Sequence, residues 1–111
     1  MTPEGRVKVK ISRYISELRN PLTGAGVYVE MPVPTGYGKS GLDYTLCFYG
    51  HFISIEAKAP GEWLTPRQRV TVLEMLNAGA TVFLISSDEG LNAFKRWVER
   101  CRRSFADTAG K

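Results

Sequence analysis

Asp43, Glu56 and Lys58 are the side chains of this 111-residue chain best suited, by functional group and by separation, to take part in a reaction. Two carboxylates held together can share a divalent cation. A magnesium-sized ion takes oxygens at about 2.1 Å, commonly one or two carboxylates completed by water and substrate phosphate. A lysine ammonium alongside can orient an attacking water or stabilise charge building on phosphorus oxygens. The set suits phosphodiester hydrolysis. The plainer alternative is an ion pair between Asp43 and Lys58 across two strands, with Glu56 solvated, and such a surface pair is worth only about 0–1 kcal/mol.

A hairpin must position these groups. DYTLCFY (residues 43–49) and FISIEAKA (52–59) are β-rich runs separated by Gly50-His51, with glycine first as a two-residue type II′ turn prefers. That turn pairs Tyr49 with Phe52, sets Thr45 opposite Glu56 and Asp43 opposite Lys58, and leaves Asp43 diagonal to Glu56 at about 7 Å. By strand alternation Asp43, Thr45, Cys47 and Tyr49 then share a face with Phe52, Ser54, Glu56 and Lys58, while Tyr44, Leu46, Phe48, Ile53, Ile55 and Ala57 make an apolar face.

Other elements frame the hairpin. Thr2-Pro3 has the form of a helix cap, and Val7, Ile11, Tyr14, Ile15 and Leu18 recur at helical spacing as far as Asn20-Pro21. GVYVEMPV (26–33) is β-rich but interrupted by Pro32, which predicts a strand that ends or lies at an edge. Thr65-Pro66-Arg67-Gln68 forms a capping box that opens a helix running to Gly79. ATVFLIS (80–86) is a continuous apolar run, which predicts a central strand. Ser86-Ser87-Asp88-Glu89 starts a last helix with its stripe at Leu91, Phe94, Val98, Cys101 and Phe105. The order α-β-β-β-α-β-α predicts an α/β fold with a mixed sheet, a parallel crossover and flanking helices, in one domain over 1–105 followed by a flexible tail over 106–111.

Composition bounds the rest. Residues 1–20 carry five basic and two acidic groups and residues 91–111 carry six and two, whereas residues 21–90 carry four and seven. Basic ends around an acidic middle point to nucleic acid together with a metal site, or simply to solvated basic helix faces. No apolar run approaches the roughly 20 residues of a membrane span and no signal peptide is evident, so the expectation is a cytoplasmic protein with no membrane contact. Cys47 and Cys101 fit no zinc spacing and fall in apolar patterns where buried free thiols are usual.

Gly41-Leu42-Asp43, then Glu56-Ala57-Lys58-Ala59-Pro60, then Leu64-Thr65-Pro66-Arg67-Gln68, resembles the VRR-NUC family of the PD-(D/E)xK nucleases, in particular its small stand-alone members. The resemblance spans roughly residues 4–86. It implies a restriction-endonuclease-like αβββαβ core and magnesium- or manganese-dependent hydrolysis of branched DNA. Asp43 and Glu56 are then metal ligands, the Ala57 carbonyl completes the coordination, and Lys58 assists the water nucleophile. Gln68 matches the family's glutamine, although the capping box alone explains it equally well. Glu4 is a further candidate for the metal, against the alternative of a first-turn acid favoured by the helix dipole. Leu42 departs from the proline usual before the aspartate.

Lys39, Arg67 and Arg69 flank the candidate site and Arg96, Arg100 and Arg103 form a stripe on the last helix; all are candidates for DNA phosphates or ordinary surface charges. Trp63 and Tyr37 could stack on unpaired bases. The run TGYGKSGLD satisfies G-x-G-x-x-G over Gly36–Gly41, but it opens a strand rather than a helix, and Val33 stands where a Walker loop needs glycine. Cutting two related strands of a four-way junction requires two active sites, which a two-fold homodimer provides. The expectation is a homodimeric Holliday-junction endonuclease. A flap- or nick-directed nuclease and a non-catalytic nucleic-acid-binding module are the alternatives.

Overall fold

The computed structural model describes residues 1–19, 26–31 and 41–109, with side chains described as far as residue 106. Lys39, Tyr37 and the glycine run before Gly41 lie outside the described residues. The elements are α1 (Pro3–Leu18), β1 (Val27–Glu30), β2 (Tyr44–Phe48), β3 (His51–Ala57), α2 (Pro66–Asn77), β4 (Thr81–Ile85) and α3 (Asp88–Ala109). This is the expected αβββαβ order followed by a C-terminal helix. The helix starts are built as the caps predict. Thr2 Oγ1 accepts the Gly5 N–H at 3.0 Å, and Ser87 Oγ accepts the Gly90 N–H at 3.1 Å. Such caps are worth about 1 kcal/mol each.

The four strands lie in the order β1-β2-β3-β4, antiparallel except for the parallel pair β3 and β4. Ile11, Ile15 and Leu18 of α1 and Leu91, Phe94 and Val98 of α3 close one core against Tyr44, Leu46, Phe48, Ile53, Ile55 and Ala57. The apolar hairpin face is therefore buried throughout. Helix α2 contributes nothing to that core; it lies over the opposite sheet face, where Val72 and Leu76 line a cavity together with Val82 and Leu84.

Two expectations about the sheet are corrected. First, β4 is the end strand rather than a central one, and most of it is only half-buried. Its continuous apolar run reports that both faces are turned to other elements, Phe83 to Phe94 of α3 and Val82 and Leu84 to α2 across a cavity. Covered faces are compatible with a free edge. Second, the hairpin turn is Tyr49-Gly50, not Gly50-His51. Both residues have positive φ, 48° and 86°, as a type I′ turn requires, and Phe48 pairs with His51.

Glycine in second place is the usual I′ preference, but tyrosine at positive φ costs about 1–3 kcal/mol. The Tyr49 ring offsets this by stacking on Phe105 at 4.4 Å and 9° and packing on Phe48 at 4.4 Å. Moving the turn back by one residue shifts the register by two, so each strand keeps its faces and only the partners change. Thr45 lies opposite Ser54, and extension of the ladder puts Asp43 directly opposite Glu56 rather than Lys58.

Cys47 is another departure. It stands on the outer face and is exposed, while Cys101 is half-buried; both thiols are free. No helix among the described residues is long and apolar enough to cross a membrane.

Candidate active site

Asp43 and Glu56 face each other where β2 begins and β3 ends, at the far end of the hairpin from its turn. They are locked by reciprocal contacts with the backbone. The Asp43 N–H donates to Glu56 Oε2 at 3.1 Å, and the Ala57 N–H donates to Asp43 Oδ2 at 2.9 Å. A strand residue's N–H and C=O project from the same strand edge, so the Ala57 carbonyl faces the Asp43 side as well. Each carboxylate is thus held by one strand and aimed by the other.

Glu56 is only 5% exposed. Burial, followed by the negative charge of Asp43, pushes its carboxyl up from 4.5 to about 7. Lys58, itself buried, brings Nζ to 4.0 Å from Glu56 Oε1. Asp43 finds its cation elsewhere, in Lys8 of α1 at 3.6 Å. Like charges in a desolvated place, with two ammonium groups only at the margin of contact, remain short of positive charge. The donor set is hard oxygen throughout, so the pair fits a magnesium-like ion. Among the described residues no cluster of three or more histidine, cysteine or acidic side chains forms a larger metal cage.

Gln68 reconciles two alternatives that the sequence leaves open. Its Oε1 accepts the Thr65 N–H at 2.9 Å and its own N–H donates to Thr65 Oγ1 at 3.2 Å, completing the capping box. Because the oxygen must face a backbone donor, the amide NH₂ points away from the cap, and Nε2 donates to Glu56 Oε1 at 2.9 Å. One side chain starts α2 and holds Glu56. Glutamate, the more familiar capping-box residue, would present an acceptor to another acceptor.

Glu4 reaches this end of the molecule only through Lys8, whose Nζ lies 3.9 Å from Glu4 Oε2. Sequence reasoning missed Lys8. The available signal was its position four residues after Glu4, on the same helix face. It also missed the polar work of Tyr44, read there as one more apolar-face residue. The Tyr44 hydroxyl donates to the Lys8 carbonyl at 3.1 Å, which leaves Ser12 Oγ to donate to Tyr44 Oη at 2.8 Å. This ties α1 to β2 beside Asp43 and sets where Lys8 projects.

Arg67 and Arg69 are exposed on the first turn of α2, on either side of Gln68. Arg96, Arg100 and Arg103 are not brought to the site. Helix α3 runs towards the hairpin turn, where Trp97 meets His51 at 5.4 Å and Phe105 stacks on Tyr49. That end lies roughly 20 Å from Asp43 at about 3.3 Å per strand residue. Compared with family models, curated proteins and solved structures, the chain finds no match.

Proposed function

We propose that this protein is a magnesium- or manganese-dependent endonuclease that hydrolyses phosphodiester bonds in DNA. The observation that carries the reading is the opposed Asp43–Glu56 pair, held by β2–β3 backbone N–H groups with Lys58 beside it. An ordinary cross-strand ion pair does not account for it, because Asp43 opposes Glu56 and the second carboxylate is buried. Burying one carboxylate beside another works against stability, which is reason to look for a function.

Asp43 and Glu56, with the Ala57 carbonyl, would hold the cation. When bound there, it supplies positive charge to the phosphate oxygens and makes a water more acidic. Gln68 fixes Glu56 and leaves its second oxygen to Asp43. Lys58 is aimed along the same face and can orient the attacking water or meet charge on the phosphate. Lys8 screens Asp43 and adds a cation to the approach. Arg67 and Arg69, exposed on the first turn of α2, would hold phosphates of the strand, whereas the α3 arginines would meet DNA only well away from the reacting group.

The preferred substrate is branched DNA, with Holliday junctions cut by a homodimer. Helix α2 supports pairing of two copies: Val70, Leu73 and Leu76 are each at least half exposed, as is Trp63 beside Leu76. Uncovered apolar side chains in this number mark an interaction surface.

Labelled four-way junctions, flaps and linear duplex, incubated with magnesium, manganese or chelator, test the reading. Asp43→Asn and Lys58→Ala should each abolish cutting while leaving DNA binding within about threefold, roughly 0.7 kcal/mol. Unchanged cutting by either variant would remove the site assignment, and metal-independent binding without cleavage would favour a binding module. Sedimentation that returns only monomer, with and without DNA, would remove the dimer.

A further inference from the structure

A cleft beside the acid pair is lined by none of the candidate catalytic residues. It opens over the carboxyl ends of the parallel strands β3 and β4, between the first turns of α1 and α3, and has a volume of about 240 Å³. Crevices at the carboxyl ends of parallel strands are common ligand sites. This one is smaller than the roughly 300–1,000 Å³ of pockets that enclose drug-sized molecules, which suits it to a single ring system. Its walls are Pro3, Val7, Pro60, Ile85 and Leu91. None is aromatic.

The rim is polar and mainly cationic. Arg6 and Lys10 stand on one side, and Ser86 and Ser87 offer hydroxyls on the other. Asp88 also lies there and pairs with Lys10 at 2.7 Å, so Arg6 supplies the net positive charge. The cleft is also close to the acid pair. Ile85 pairs with Ala57 and accepts the Lys58 N–H at 3.0 Å, while the Ala57 N–H holds Asp43. The wall therefore stands one strand spacing, about 4.8 Å, from the backbone that aims the carboxylates. On α1, Val7 lines the cleft and the adjacent Lys8 reaches Asp43.

The geometry points to this cleft as the receptor for one unstacked nucleotide of the substrate, next to the phosphate at the Asp43–Glu56 pair. The base enters the apolar floor and its phosphate meets Arg6. This rests on the nuclease reading for its substrate and deepens it, since a base beside a branch point can lose a stacking neighbour even where it is paired, and a base inside a continuous duplex does not. Unstacking costs a few kcal/mol in a paired duplex and least where the base is already unpaired. The cleft would thus select branched DNA without reading sequence.

The test uses the full chain in chelator, so that nothing is cut, and two duplexes carrying 2-aminopurine, one in a single-nucleotide bulge and one fully paired. Binding of the bulged duplex should raise 2-aminopurine emission several-fold, because the base leaves its stack for a site with no aromatic wall. Val7→Trp fills the cleft from α1. Pro60→Trp fills it from an exposed loop, where the substitution is tolerated even if the helix variant fails to fold. Each should abolish the rise and cut the preference for bulged over paired duplex roughly tenfold.

A rise that survives Pro60→Trp, a fall in emission, or no binding of either duplex overturns the inference. The two readings fail separately. Wild-type cutting with magnesium or manganese but no emission response removes the cleft and leaves the nuclease; a response lost in Pro60→Trp, with no cutting of any DNA, keeps the cleft and removes the nuclease.

Discussion

Replacing Gln68 by glutamate separates a capping residue from a residue of the site. As a cap, glutamate serves as well as glutamine: a carboxylate oxygen accepts the Thr65 N–H, and a negative charge in the first turn of α2 gains about 0.3–1 kcal/mol from the helix dipole. Towards Glu56 the change is adverse, because an acceptor replaces the Nε2 donor that lies 2.9 Å from Glu56 Oε1. A hydrogen bond to a charged group is worth about 1.5–3 kcal/mol. Two carboxylates about 4 Å apart repel by about 4 kcal/mol at an effective dielectric of 20. These effects overlap, and proton uptake relieves part of them. The expected loss for Gln68→Glu in metal-free protein at pH 8 is about 2–4 kcal/mol, or roughly 10 °C in Tm.

At pH 5.5, where Glu56 is protonated and can donate, the loss should shrink to about 1 kcal/mol or less. Urea and thermal unfolding in chelator at both pH values measure this. The double variant Glu56→Gln with Gln68→Glu exchanges donor and acceptor. It should recover at least about 1.5 kcal/mol of coupling in a double-mutant cycle. If Gln68→Glu is as stable as the wild type at pH 8 while Gln68→Ala loses about 1 kcal/mol, Gln68 is a cap alone and does not hold Glu56.

Without metal the wild-type chain should lose stability as pH rises. Glu56 ionises at about 7 when folded and at 4.5 otherwise. Its contribution is therefore complete below pH 4.5 and is lost as pH rises to about 7. Linkage puts the loss at about 3 kcal/mol at most, with burial and then Asp43 sustaining it and the Asp43 N–H, Lys58 and Lys8 limiting it; a stability profile flat from pH 5 to 8 in chelator, or one unaltered by Glu56→Gln, would contradict this. Magnesium should flatten the profile by stabilising the ionised pair. Tyr44→Phe, which cuts the tie to the Lys8 carbonyl and leaves Ser12 without its acceptor, should cost about 1–2 kcal/mol in urea unfolding. It should also lower cutting more than DNA binding, since Lys8 sits against Asp43; an equal loss in both would place the effect on folding alone.

Local periodicity along the chain was enough to define the elements and their faces. Caps at Thr2 and Thr65, the apolar stripes of α1 and α3, and alternation along the hairpin are properties of neighbouring residues, so the element order and the face bearing Asp43, Glu56 and Lys58 could be read from the chain. A register error of two residues left that face unchanged, because strand side chains repeat every two residues. Which residues meet across it depends on distant contacts. Phe105, far along the chain, stacks on Tyr49 and helps hold the turn one residue earlier than its glycine suggested, bringing Asp43 opposite Glu56.

Position in the sheet is likewise not local. An apolar run reports covered faces and is silent about edges, which is why β4 could read as central and stand at the end. Lys8 and Tyr44 belong to the site through contacts spanning more than thirty positions of chain. Such contacts exist only once α1 has packed on the sheet, and packing, unlike periodicity, has no signature in a short window of sequence.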